Sequence, residues 1–327
     1  TLGRPNMKKL LVAVSALALT AGSAFAGGHG GTKIGIILGY TGPIESLTGP
    51  MANSAELAIA EVNAAGNFIG GTVEGVRGDT TCVDSAAAVA ATERLVAEGI
   101  AAIVGGDCSG VTGAMLQNVA RPNGVVMISP SATSPALTTA EDDGLFFRTA
   151  PSDARQGQIL TALLEARGIT EIAVTYTNND YGKGLADSLA ANFGGTITAS
   201  VPHEDGKADY SAEVATLAAA GGEMLAVLGY LDQGGKGIIE GSLDTGAFDQ
   251  FILGDGMVGA SLPAAIGSDL DASVGTAPGT VGNGIDAFNA AFAAAGYEGE
   301  GPFRAESYDA AALLMMAMQA AGSTDRD

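Results

Sequence analysis

Short apolar runs alternate with amphipathic stretches along most of the chain. Lys33 to Gly39 (KIGIILG) reads as a β-branched strand that empties into a Gly-Tyr-Thr-Gly-Pro turn. Pro50 to Ala65 carries Ala55, Ala58, Ile59 and Val62 on one helical face and is stopped by Gly66. A strand over Thr72 to Gly78 follows, then a helix that Asp84 can cap, running to Glu98 with Val89, Thr92, Leu95 and Val96 inward. Ala101 to Gly105 and Val125 to Ile128 are short, wholly apolar runs, the mark of strands buried on both faces. After Phe146 to Ala150 the grammar repeats. Helices are predicted over Ala154 to Arg167 (with Ile159, Leu160, Leu163 and Leu164 inward), Leu185 to Asn192, Tyr210 to Ala220 and Gly235 to Thr245. Strands are predicted over Glu171 to Thr175, Thr196 to Val201, Met224 to Leu228 and Gln250 to Leu253, and Asn178 to Gly184 reads as a polar turn. Strand and helix in strict alternation argue for parallel sheets with helices on both faces, here in two consecutive α/β halves. Val274 to Gly279 is rich in breakers, so the chain can cross back to the first half there. Two Ala-rich helices, Asp286 to Ala295 and Glu306 to Ala321, close it, with Met315, Met316 and Met318 read as core filler.

One stretch carries chemistry on its face. In Val125 to Pro135 (VVMISPSATSP) the buried strand runs into a loop where backbone N–H groups and the hydroxyls of Ser129, Ser131, Thr133 and Ser134 can converge on an anion. Ligands of open α/β sheets sit just beyond the carboxyl ends of strands. An ordinary strand-to-helix turn would read the same way.

Size and charge narrow the picture. A chain of 327 residues suggests two domains. Its first part is not fold: from Met7, Lys8 and Lys9, the apolar Leu10 to Leu19 and the small-residue site Ala24-Phe25-Ala26 make a secretory signal peptide, with Thr1 to Asn6 an upstream remnant. Removing residues 1–26 takes three of the 15 basic residues and none of the 36 acidic ones, which leaves a net charge near −24. Such a surface repels phosphate backbones and excludes nucleic acid as a partner. No later apolar run is long enough to span a bilayer, so the product is expected in the periplasm. In that oxidising setting the two cysteines, Cys82 and Cys108, favour a disulfide over a zinc set with the distant His29 and His203. The chain stops at residues 323–327 directly after a helix, with no closing strand, and truncation is expected.

Enzyme signatures are thin. Gly254 to Gly259 (GDGMVG) is formally a G-x-G-x-x-G after a strand, but no acidic strand end follows about twenty residues on to hold a ribose. There is no G-x-S-x-G elbow, and Gly234-Gly235-Lys236-Gly237 lacks the frame of a phosphate-binding loop. His203 sits in a charged segment (HEDGKADY) and reads as a solvated surface residue. What remains is a set of strand-end groups: Ser109, Ser131, Thr133, Tyr181 and Asp255. If the halves face each other, they suit a zwitterion, its carboxylate on hydroxyls and N–H groups and its ammonium on Asp255.

These residues resemble the periplasmic solute-binding proteins of ABC transporters, of the leucine/isoleucine/valine-binding type. The resemblance runs from about Lys33 to Gly322 and rests on Gly42-Pro43, the helix SAELAIAEVNAAG (Ser54 to Gly66), Cys82 and Cys108 at the family's disulfide spacing, VVMISPSATSPALT, NDYGKG (Asn179 to Gly184) and GDGMVG. It implies two doubly wound parallel-sheet lobes joined by a hinge, with the ligand cleft between them (the type I periplasmic binding fold). Residues 27–149 with 278–327 would form lobe 1, and 150–277 lobe 2. It further implies that Ser109 and Thr133 hydrogen-bond the ligand carboxylate, and that Ser131 and Ala132 help grip the ligand's main-chain end. Tyr181 would close over the ligand, and Asp255 would take the ammonium where branched-chain binders usually have Glu. Tyr230 falls one position early for a second lobe-2 tyrosine, and Leu47 stands where an aromatic is common. No cofactor, no metal and no enzymatic activity are implied. The expected partners are an ABC permease and a free amino acid, branched-chain or otherwise apolar, held by a monomer through lobe closure. The alternatives are an amide, urea or aromatic-acid binder on the same scaffold, and an exported α/β enzyme using the GDGMVG loop.

Overall fold

The structure is a computed structural model that describes residues 31–279, 282 and 284–326. The expected signal peptide and upstream remnant at 1–26 lie outside the described residues. The first half runs β1 (Thr32–Leu38), α1 (Glu45–Ala65), β2 (Val73–Asp79), α2 (Ser85–Ala97), β3 (Ala102–Gly105), α3 (Ser109–Met115), β4 (Val126–Ser129) and β5 (Phe146–Arg148). The second runs α4 (Asp153–Ala166), β6 (Glu171–Thr177), α5 (Asp180–Asn192), β7 (Thr196–His203), α6 (Ser211–Ala220), β8 (Met224–Leu228), α7 (Gly234–Thr245), β9 (Phe251–Leu253), α8 (Ser261–Ile266) and β10 (Val274–Gly275). Helices α9 (Gly284–Ala294) and α10 (Arg304–Ala321) follow, and α10 packs back along α1 and against β3 and β4.

Both sheets are five-stranded and parallel, in the orders β2-β1-β3-β4-β5 and β10-β9-β8-β6-β7. Read from its own first strand, each has the same winding: the second strand on one side, the third to fifth on the other. The order therefore reverses at β1/β3 in one sheet and at β6/β8 in the other, and crevices for ligands open beyond the carboxyl ends of those strands. Ile34, Ile36, Ile37 and Leu38 of β1 and every residue of β8 are buried, as strands covered on both faces require.

Several local expectations need correction. Helix α1 starts at Glu45, ahead of Pro50, which lies inside it. As the sixth helical residue Pro50 forgoes the bond to Ser46 O and crowds that carbonyl, yet the helix continues through it. The polar NDYGKG segment is no turn: Asn179 Oδ1 accepts the N–H groups of Tyr181 and Gly182 at 3.1 Å, and α5 begins at Asp180. Helix α3, rich in Gly and small residues, gave no periodic signal. Val274–Gly275 pairs with β9 before the chain leaves the sheet. Ile159 of α4 and Met316 of α10 face solvent, whereas Met315 is buried.

His203 is the largest departure. It ends β7 as a buried residue, its ring edge-on to Tyr210. Thr175 Oγ1 donates to Val201 O, so the 2.8 Å contact to His203 Nδ1 makes that nitrogen the donor and leaves Nε2 without a partner. Burial pushes the imidazole down to about 4, so it is neutral at physiological pH.

Asp84 caps α2 as expected, with Oδ1 accepting from Ala86 and Ala87 N–H. Just before it, Cys82 is disulfide-bonded to Cys108 across 26 residues of sequence. The bond ties the loop after β2 to the loop after β3, at the edge of the first crevice. Closing a loop of this length in the unfolded chain is worth about 3 kcal/mol. The double variant Cys82→Ser/Cys108→Ser is expected to lose that much in urea unfolding, and an unchanged midpoint would show that the bond constrains nothing.

Candidate ligand-binding site

The two crevices meet. A narrow, nearly closed cavity of about 20 Å³ is lined by Asp107, Cys108, Ser109 and Ser131 from the first half and by Tyr181, Tyr230, Asp255 and Gly256 from the second. Ile44, Leu47, Met51 and Phe303 complete it with an apolar wall. Six of the eight expected ligand-binding residues thus share one cavity. Thr133 lines a different space with Pro151, Gln156 and Thr276, and Ala132 is buried. A larger open groove of about 1050 Å³ between α6 and α7, rimmed by Lys207, Asp209, Lys236 and Glu240, contains none of them.

On the first wall the hydroxyls divide into structural and free. Ser129 Oγ donates to Gly106 O at 2.5 Å and accepts from Ala132 N–H at 2.9 Å, which fixes the loop after β4 to the loop after β3. Ser131 Oγ donates to Asp107 O at 3.0 Å, and Ser134 Oγ accepts from Ala136 N–H. The four-hydroxyl cradle read from VVMISPSATSP is therefore mostly occupied in holding its own shape. Ser109 Oγ accepts from Ser134 N–H at 3.0 Å and keeps its proton to donate. Thr133 Oγ1 is buried with no partner. Those two hydroxyls are the available donors.

The second wall carries the acid. Tyr181 leaves the capped start of α5, stacks on Tyr230 with ring centroids 5.3 Å apart, and donates its hydroxyl to Asp255 Oδ1 at 2.8 Å. Gly256 N–H donates to the same phenol oxygen at 3.0 Å, and Asn179 Nδ2 holds Tyr230 Oη at 3.2 Å. The glycines of GDGMVG explain themselves here by packing: a Cβ on Gly254 would lie 2.9 Å from Tyr181 Oη, and one on Gly256 2.6 Å from Gly229 O. Burial raises Asp255 to about 6, against the Tyr181 hydrogen bond, which favours its charged form.

A residue that no motif singled out completes the set. Asp153 opens α4, its N–H donates to Thr133 O at 2.9 Å, and its carboxylate lies beside the Thr133 hydroxyl, which favours the charged form without making a well-aligned hydrogen bond. The side chain is fully buried, and neither carboxylate oxygen has a partner. Burial first, and the neighbouring Asp255 charge second, raise its pKa well above the ordinary value. Two neighbouring buried carboxylates make a site of strong negative potential, which the half-buried Arg148 offsets in part without a hydrogen bond or close ion pair to either acid. Buried charges are stable only when paired. Asp107, also buried, is different: its carboxylate is fully engaged with Gly39 N–H, Thr80 Oγ1 and Cys108 N–H.

The sequence profile of the periplasmic binding proteins matches residues 31–327. The chain belongs to that family. The binding protein is 32% identical over 330 residues to Leu/Ile/Val-binding protein homolog 1 of Brucella melitensis, covering 98% of this chain and 86% of the relative. It is 30% identical over 281 residues to the leucine-specific-binding protein of Salmonella typhimurium, covering 83% and 72%. Among solved structures it resembles the branched-chain amino acid transporter substrate binding protein LivJ of Streptococcus pneumoniae in complex with isoleucine, with TM-score 0.79, 27% identity, and 90% and 86% of the two chains covered. The same fold appears in a Rhodopseudomonas palustris solute binding protein in complex with 4-hydroxybenzoate, with TM-score 0.76, 18% identity, and 90% and 82% covered. Among the described residues no helix is long and apolar enough to cross a membrane.

Proposed function

We propose that this binding protein is the periplasmic component of an ABC importer and closes its two lobes, divided near residues 149/150 and 277/278, on one free branched-chain amino acid. The observation that carries the reading is the fully buried Asp153 carboxylate, which makes no well-formed hydrogen bond, lies beside the Thr133 hydroxyl and feels the charge of Asp255. The ligand ammonium bridges Asp153 and Asp255, its carboxylate accepts from Ser109 and Thr133, and its side chain packs on Ile44, Leu47, Met51 and Phe303. Tyr181 and Tyr230 cover it from the second lobe. Charge-assisted bonds in a site shut from water supply affinity, and lobe closure presents the loaded form to the permease.

An aromatic acid, the ligand class of the palustris protein, brings an anion and no cation to two carboxylates, and is disfavoured. An amide or urea remains the second reading, because its N–H groups can also donate to Asp153 and Asp255. A thermal-shift panel separates the three. Leucine, isoleucine or valine is expected to raise the melting temperature at micromolar concentration, and 4-hydroxybenzoate is not. Stabilisation by urea or leucinamide alone would replace the amino-acid reading.

A further inference from the structure

We propose that Asp232 sets how long the cleft stays shut, by capping helix α1 from the opposite lobe. Helix α1 begins after Ile44, whose side chain accepts no hydrogen bond, so the helix has no cap of its own. The first N–H groups of any helix need outside acceptors. Here Ser46 N–H, at the second helical position, donates to Asp232 Oδ2 at 2.9 Å. That is the bond a capping Asp ordinarily makes from the preceding residue of its own chain segment. Asp232 lies in the loop between β8 and α7, on the far side of the cleft.

Its other contacts hold it in that role. Ser261 Oγ donates to Asp232 Oδ1 at 2.8 Å and lies 3.3 Å from Ser46 Oγ. Asp232 N–H donates to Pro43 O at 3.2 Å, a second bond across the cleft. The negative charge also faces the positive end of the α1 dipole. Close approach is built in beside it: a Cβ on Gly259 would lie 2.9 Å from Leu47 Cδ2. Leu47 lines the ligand cavity and Asp232 does not. The cap therefore acts on the ligand only through closure, since opening the lobes breaks it and returns Ser46 N–H to water.

This rests on the reading that the lobes close on leucine. The chain has no Trp, so stopped-flow Tyr emission follows leucine binding by wild type, Asp232→Asn and Asp232→Ala, alongside hydrogen exchange at the start of α1. The on-rate is expected to stay within about twofold. The Ala off-rate should rise about 3- to 30-fold, the range a helix cap is worth, with Asn between Ala and wild type. Residues 46–48 should exchange faster in Asp232→Ala. Unchanged off-rate together with unchanged exchange at 46–48 would overturn the assignment. If wild type fails to bind leucine, the ligand reading falls, and exchange in the ligand-free proteins decides the cap: faster in Asp232→Ala supports it, equal rates overturn it.

Discussion

Asp153→Asn is expected to weaken leucine binding by about 100-fold or more while raising the melting temperature of the ligand-free protein at neutral pH. Both effects come from one buried charge. Removing a carboxylate from a desolvated ion pair with the ligand typically costs about 2–5 kcal/mol. Without ligand the same carboxylate is fully buried and has no partner, so its charge is a penalty that the neutral amide does not carry. The sign follows from linkage. The folded-state pKa of Asp153 lies above the unfolded value of about 3.9, so stability falls as pH rises through that value toward the folded one. The stabilisation by Asn should therefore be absent near pH 4 and grow as pH rises above it. Calorimetry with leucine and melting curves at pH 4 and pH 7 check this. Retained binding, or a lower melting temperature at pH 7, would take Asp153 out of the site.

Asp255→Asn is expected to cost about 2 to 5 kcal/mol of binding and to flatten its pH dependence. In the free protein burial pushes the Asp255 carboxyl up to about 6, and an ammonium is attracted to the ionised form. Affinity is thus fully present above pH 7 and lost as pH falls through 6. At pH 5 about one molecule in ten has the charge in place, so the dissociation constant of the wild type should rise about tenfold between pH 7.5 and 5. Its Tyr181 partner would remain stacked on Tyr230 in the variant. A wild-type dissociation constant flat from pH 7.5 to 5 would mean that Asp255 does not meet the ligand's charge.

Much of this molecule was legible from periodicity, and the gaps have physical causes. The buried strands read correctly because Ile34 to Leu38 and Met224 to Leu228 carry almost nothing else. Strand–helix alternation predicts parallel sheets, but the strand order and the placing of both reversal points against one cavity come from the structure. Asp153 was missed because Pro151-Ser152-Asp153 is an ordinary helix start. Ser152 does cap α4, accepting from Ala154 N–H, and an acid in the first turn needs no further explanation. Only the bond from Asp153 N–H to Thr133 O, across 20 residues, ties it to the loop after β4. His203 misled for the converse reason: its neighbours in sequence are charged and exposed, while β7 runs far enough to bury the ring beneath Tyr210. The hydroxyl-rich loop lies beside the cavity through Ser131, but fewer of its hydroxyls are free than the sequence suggests, since loops must spend hydroxyls on themselves before any remain for a ligand.

The central claim is that paired buried carboxylates hold a ligand ammonium. Calorimetric titration with leucine and with 4-methylpentanoate, which keeps its side chain and carboxylate but lacks the amino group, tests it most directly. The account predicts that leucine binds and that 4-methylpentanoate binds at least about 100-fold more weakly. Equal affinity for the two would contradict it.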